Sequence, residues 1–147
     1  MGYDGLFVVD PVGKSGGLAL FWKVVEELEI QNFSRRNINA IVRLKDDDSP
    51  WKFTCFYGNS DPGKRVESWA LLNQLKIFAP IPWLCVGDFN EITCQNEKVG
   101  GNRRCEAQME AFRTTLEDCH LSDLGFSGPR FTWSNKHQDG SLVQEIG

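Results

Sequence analysis

The sequence is short of the residues that build metal centres and redox pairs. It holds two histidines, His120 and His137, and five cysteines, Cys55, Cys85, Cys94, Cys105 and Cys119. No two cysteines stand in a C-x-x-C spacing and their number is odd, so neither a structural zinc site nor a disulfide framework is expected. Basic residues are also in deficit: 16 Lys and Arg against 20 Asp and Glu give a formal net charge of -4. A protein that grips nucleic acid through its phosphates is normally basic, because it must neutralise them. Strong DNA affinity is therefore not expected of this chain alone, although an enzyme that holds phosphate through a divalent cation can be acidic. Apolar runs are short. None approaches the length of about 20 residues that a membrane-spanning helix needs. The opening Met1-Gly2-Tyr3-Asp4-Gly5 has neither the basic start nor the apolar stretch of a secretory signal. These absences point to a soluble, intracellular protein with reduced thiols and no membrane partner. Repeats, low-complexity tracts and linkers are lacking as well.

What the sequence has is ordinary globular composition, 41% apolar and 12% aromatic, over a length that suits one domain with one core. Its first part reads as strands. Leu6-Phe7-Val8-Val9 is a short apolar run closed by Asp10-Pro11, and Gly16-Gly17 leads into Leu18 to Trp22. Val24 to Ile30 mixes apolar and acidic residues, as a strand exposed on one side does. From Asn37 to Leu44 the alternation puts Ile38, Ala40, Val42 and Leu44 on one face. Asp46 to Pro50 reads as a turn before a strand from Trp51 to Tyr57. The acidic triplet in that turn is read as a solvated hairpin tip rather than a cation site, since no further ligands flank it.

The period then changes. Asp61 is a suitable N-cap and Pro62 a suitable first helical residue, with Val66, Trp69, Leu72 and Leu75 at helical spacing and Pro80 and Pro82 beyond. Trp83 to Val86 is a compact apolar run that reads as a buried strand. Glu91 to Arg104 looks like a long loop, and Glu106 to Cys119 is a second helix with Met109, Phe112, Leu116 and Cys119 on one face. Phe131-Thr132-Trp133 is a short strand, Asp139-Gly140 a hairpin turn, and Leu142-Val143-Gln144 the return. Strands first, then helix and strand in alternation, suit a mixed sheet with helices outside.

Two places invite a chemical reading. Gly13-Lys14-Ser15 resembles the end of a phosphate loop, but its first glycine is replaced by Val8 and a strand follows where a helix is required. That reading is rejected. Gly87-Asp88-Phe89-Asn90 is stronger, because an apolar strand ends in glycine and a carboxylate and an amide follow two residues apart. On an extended chain those two side chains point the same way. A carboxylate can orient an attacking water or hold Mg²⁺, and an amide NH₂ can donate to a phosphate oxygen as charge builds on it. An Asx turn closing a strand accounts for the same four residues without any chemistry.

The surroundings carry a resemblance. Pro82 to Ile92 is similar to the GDFN strand of the endonuclease/exonuclease/phosphatase superfamily, in the form found in plant-type non-LTR retrotransposon polyproteins. Three further segments match in order: Ser15 to Trp22, Phe56-Tyr57-Gly58, and Leu121 to Phe126 with Phe131 to Asn135. The resemblance implies an α/β fold of four layers (DNase I-like), two mixed sheets face to face with helices outside, and Mg²⁺-dependent nicking of DNA. It implies that Asp88 orients the water, that Asn90 binds the scissile phosphate, and that Tyr57 contacts phosphate near the metal. It places Trp133, Ser134 and Asn135 in a hairpin lying against the DNA groove. Without the resemblance, Tyr57 is a half-buried strand aromatic, and Trp133 is equally a core residue. Asp88 and Asn90 are expected at the end of a central strand, with Tyr57 approaching from a neighbouring strand end.

The departures are as informative. The metal-binding Glu and an upstream Asn of the family would lie before Met1, and the terminal histidine segment is absent, so the domain is expected to be cut at both ends. No residue present is assigned as a metal ligand. His120 and His137 fall elsewhere in the pattern. The chain therefore reads as part of a DNA-nicking phosphodiesterase, inactive by itself and, by implication of the family, nuclear. An inert remnant that binds nucleic acid or another partner is the alternative. A lipid- or sugar-phosphate phosphatase of the same superfamily is disfavoured by the Trp-rich segments. No small-molecule cofactor is expected, and the oligomeric state is not legible.

Overall fold

The computed structural model describes residues 2–13, 17–23, 26–44, 47–77, 80–136 and 142–145. It is a mixed α/β structure with three sheets and two α-helices among those residues. The expected hairpin turn at Asp139-Gly140, the rejected Lys14 motif and His137 lie outside the described residues. The chain divides into two compact units, one formed by the residues up to Gly58 together with Gln74–Asp88, the other by Asn59–Asn73 and Phe89–Gly147.

In the first unit, β1 (Gly5–Val9) and β2 (Leu18–Trp22) form an antiparallel hairpin. A separate four-stranded sheet has the order β3-β4-β5-β6, with β3 Glu26–Ser34, β4 Asn37–Leu44, β5 Asp47–Tyr57 and β6 Trp83–Asp88. Its first three strands form an antiparallel meander, and β6 joins β5 in parallel. The sheet is therefore mixed, as the element order suggested. β2 lies against β4 and β5.

The alternation in β4 places Ile38, Ala40 and Val42 in the core, but Asn37 and Asn39 on the opposite face are buried too. A side-chain network accommodates that polar face. Thr54 Oγ1 donates to Asn39 Oδ1 at 2.7 Å and accepts from Trp83 Nε1 at 2.9 Å. Beside it the buried Lys52 donates from Nζ to the Leu75 carbonyl at 2.8 Å and sits 3.8 Å from the Trp83 ring centroid. A cation at a helix C-terminus satisfies a carbonyl that has no partner within the helix, and the aromatic face adds a further attraction.

Two expectations are corrected here. Asp47 to Pro50, expected in a turn, belong to β5, which begins at Asp47 opposite Leu44, while Asp46 lies outside the described residues. Pro50 is tolerated within that strand because it falls in the irregular stretch between the Val42 and Leu44 pairings and ahead of the first β5–β6 pair at Lys52. The Trp83 to Val86 strand, expected to be buried and central, is the edge strand of its sheet among the described residues, with Val86 49% exposed. A short apolar run states that a strand is apolar, not how many neighbours it has.

In the second unit, a short 3-10 turn, Pro62–Lys64, is capped by the Asp61 carboxylate, which accepts from the Gly63 amide at 2.9 Å. It leads into α1 (Arg65–Lys76), whose last residues belong to the first unit. Trp69, Leu72 and Leu75 are buried as expected, but Val66 is 69% exposed. Steps of three residues fall about 60° short of a full turn each, so Val66 lies about half a turn from Leu75. The stripe actually buried runs through Arg65, Ser68, Trp69 and Leu72.

The second helix, α2 (Glu106–Asp118), buries Met109, Phe112 and Thr115. Trp69 stacks on Phe112 at a centroid separation of 4.6 Å, and Phe89 packs against the same ring at 5.6 Å. The stretch read as a long loop, Glu91 to Arg104, contains a 3-10 turn at Gln95–Glu97 and β7 (Lys98–Val99). β7 pairs with β9 (Gln144–Glu145), which also pairs with β8 (Trp133–Ser134), giving a small antiparallel sheet. No described helix is long and apolar enough to cross a membrane.

Candidate functional site

Two parallel strands end together in the first unit. Tyr57, the last residue of β5, is the register partner of Asp88, the last residue of β6. One backbone row ties the strand ends: the Tyr57 amide donates to the Arg36 carbonyl at 2.8 Å, and the Gly58 amide donates to the Asp88 carbonyl at 2.7 Å. Asp88 is exposed and Tyr57 is half-buried. The glycine of the motif has a steric role. Gly87 adopts φ 150°, and a methyl group there would lie 1.8 Å from the Phe56 carbonyl oxygen. Any side chain would push β6 off β5 at the residue before Asp88.

β6 stops at Asp88, and the i, i+2 expectation stops with it. Asn90 has φ 57°, the left-handed conformation that Asn tolerates better than most residues. The chain is therefore not extended through Asn90, and the spacing rule for an extended strand does not align its carboxamide with the Asp88 carboxylate. The segment after Asn90 belongs to the second unit, where it is anchored by a feature the sequence did not disclose. The Glu91 side chain is 0% exposed and the Arg65 side chain 4%, and they pair at 2.6 Å. Glu91 Oε1 accepts from the Ile92 amide at 3.0 Å and faces Arg104 Nε at 3.7 Å. Arg104 continues to Glu145 at 2.8 Å, and Glu145 to Lys98 at 3.2 Å. Five alternating charges thus join the start of α1, the end of the motif, the entry to α2 and two strands of the small sheet. Their partners are far apart in the chain, and no local pattern marks them.

The hairpin residues divide by role. Trp133 is 51% exposed and is not a core residue. Ser134 Oγ accepts from the Lys136 amide at 3.1 Å. Asn135 and Val143 hold each other, the Asn135 amide donating to the Val143 carbonyl at 3.1 Å and the Val143 amide to Asn135 Oδ1 at 3.0 Å. Asn135 therefore clasps the paired segments, and Trp133 is an exposed aromatic beside it.

No family model and no curated protein matches the chain.

Mg²⁺, which the resemblance implies, needs one or two well-placed carboxylates and keeps much of its water. At the shared end of the four-stranded sheet lie Ser34 to Asn37, Tyr57, Gly58 and Asp88, and only Asp88 among them is acidic. Glu91, the nearest acidic residue along the chain, has its oxygens committed to Arg65, Ile92 and Arg104. Among the described residues no three His, Cys, Asp or Glu side chains gather as a metal site would require. The described residues at this sheet end do not fit a magnesium centre by themselves.

Two of the thiols, Cys55 and Cys94, are held back from ionising. Burial pushes the Cys55 thiol above its ordinary pKa. A hydrogen bond to Glu97, followed by desolvation, pushes Cys94 up as well. A thiolate beside a carboxylate is disfavoured, so Cys94 ionises less readily than an ordinary cysteine.

Proposed function

We propose that the chain carries the phosphate-handling strand ends of a metal-dependent phosphodiesterase, a DNA-nicking endonuclease of the non-LTR retrotransposon type. In this reading the sheets belong to a four-layer sandwich of the DNase I kind. Asp88 orients the attacking water, Asn90 donates from its carboxamide to the phosphate, and Tyr57 contributes its hydroxyl. Trp133, with Ser134 and Asn135, forms the hairpin that meets DNA. The observation that carries the reading is the register of Tyr57 with Asp88 at the ends of adjacent parallel strands. A phenol and a carboxylate on neighbouring strand ends present a donor and a base toward one side, which hydrolysis at phosphorus requires. The Mg²⁺ such chemistry uses would need ligands beyond those gathered among the described residues.

The test is an NMR titration of the 147-residue chain with inorganic phosphate. Shifts at the Tyr57 and Asp88 amides and at the Asn90 side-chain amide, with the β1–β2 hairpin unmoved, are expected. A titration that leaves all three unmoved refutes the reading. A second reading, binding without catalysis, is favoured by the single carboxylate at the sheet end and by the exposed Trp133. It requires the hairpin to respond to DNA while Tyr57 and Asp88 do not.

A further inference from the structure

The turn between β3 and β4 lies at the same end of the sheet as Tyr57 and Asp88, and it carries two adjacent arginines. Ser34 pairs with Asn37 across the turn, leaving Arg35 and Arg36 as its two central residues. Side chains brace it from within. Ser34 Oγ donates to Asn37 Oδ1 at 2.6 Å and accepts from the Arg36 amide at 3.1 Å, and Asn37 Nδ2 donates to Asn32 Oδ1 at 2.8 Å. The turn is also joined directly to the strand ends, because the Arg36 carbonyl accepts the Tyr57 amide at 2.8 Å. Arg35 is exposed and Arg36 half-buried. Among the described residues neither enters an ion pair.

The turn thus sets two adjacent cations side by side in a chain of net charge -4. Four of the other described arginines are paired with carboxylates, Arg130 donates to the Asn96 carbonyl, and Arg103 is an exposed, isolated residue outside the four-stranded sheet. Arg65 and Arg104 are committed to the network around Glu91, Arg113 pairs with Glu106, and Arg43, at the opposite end of β4, pairs with Glu29. Two planar guanidinium groups on a braced turn can each take a phosphate oxygen pair, and bracing reduces the ordering such contacts cost.

We infer that Arg35 and Arg36 hold the DNA backbone phosphates flanking the one handled at Tyr57 and Asp88. The inference rests on the proposed function, since it names DNA as the ligand and that strand end as its site. Contacts of this kind position the duplex without reading its sequence. They also give an acidic chain a local positive surface where the phosphate must approach.

The experiment uses the 147-residue chain and a short duplex DNA, with affinity measured across a range of salt concentrations. Each phosphate contact contributes about 0.9 to the slope of log affinity against log salt. The double variant Arg35→Gln/Arg36→Gln is expected to reduce that slope by about 1.8, two contacts' worth. Arg35→Lys/Arg36→Lys is expected to restore it, which separates lost charge from a disturbed turn, and Arg43→Gln is expected to leave it unchanged. NMR of the wild-type complex is read alongside. Perturbed Tyr57 and Asp88 amides with an unchanged slope in the Gln variant overturn the inference and leave the proposed function standing. A reduced slope without perturbation at Tyr57 and Asp88 overturns the proposed function and, with it, the placement of these arginines beside that site. Absence of duplex binding by the wild type overturns both.

Discussion

Replacing Glu91 by Leu isolates what the buried charge network contributes. At 2.6 Å and an effective dielectric near 20, the attraction between Glu91 and Arg65 is about 6 kcal/mol. Against it stands a loss of hydration of several kcal/mol for each ion, so the intact pair adds little net stability. Breaking it is another matter. Glu91→Leu leaves the Arg65 guanidinium, 4% exposed, with its charge uncompensated, and removes the acceptor of the Ile92 amide. Such a loss costs about 3–5 kcal/mol, against a total stability of about 5–15 kcal/mol for a folded domain. With a urea dependence of about 1.5 kcal/mol per molar, the unfolding midpoint should fall by about 2–3 M. The assay is urea unfolding followed by NMR at Trp69, whose ring stacks on Phe112 in the same unit. The companion Arg65→Met/Glu91→Leu removes both charges and should recover most of the loss, since apolar groups of similar volume replace buried pairs at little cost. A Glu91→Leu midpoint within 0.5 M of wild type, roughly a 1 kcal/mol effect at that dependence, would refute the reasoning.

Three further outcomes are expected. Gly87→Ala should cost about 1–3 kcal/mol for its backbone conformation alone. It should also strip hydrogen-exchange protection from the Gly58 amide that bonds Asp88, and unchanged protection there would show that β6 accommodates a side chain. Glu97→Gln removes the first cause of the raised Cys94 pKa, so more thiolate forms at a given pH and alkylation of Cys94 near pH 8 should accelerate. An unchanged rate would mean that desolvation dominates instead. The 147-residue chain with Mg²⁺ should not nick supercoiled plasmid above an Asp88→Ala control, because Asp88 is the only carboxylate at the sheet end among the described residues. Nicking abolished by Asp88→Ala would falsify this.

The sequence disclosed the elements better than their surroundings. Ile38, Ala40 and Val42 announced the core face of β4 through a period of two, and Asp61 with Pro62 announced the helical start through local hydrogen bonding and a fixed φ. Those signals act over a few residues. The burial of Asn39 was not legible, because its partner Thr54, itself bonded by Trp83, is brought alongside by pairing distant in sequence. Val66 was misplaced by extending an i+3 step too far around the helix. Within the candidate site, the glycine, carboxylate and amide of the motif were visible as a string. The left-handed turn at Asn90 was not, since the Asn tolerates either conformation and the residues that anchor Glu91 after it lie in α1 and before α2. Nothing local marked the Arg35-Arg36 pair, whose place at the same sheet end as Tyr57 and Asp88 follows only from the pairing of β4 with β5 and of β5 with β6.

The parallel pairing of β5 with β6 has a kinetic consequence. The β3–β4–β5 meander closes through neighbouring segments, whereas Lys52 meets Trp83 only after the whole α1 crossover has been traversed. Closure over that contour is slower than a hairpin, because chain entropy is lost before any contact compensates for it. Tyr57 should therefore acquire its hydrogen bond to Arg36 early in refolding, and Gly58 its hydrogen bond to Asp88 late, an interval that pulse-labelled amide exchange would resolve. During that interval the meander exists with its β5 margin bare, an open ladder of amides and carbonyls with a sticky rim. The same strand end proposed to handle phosphate would then be the place where a folding chain is most exposed to pairing with the wrong neighbour.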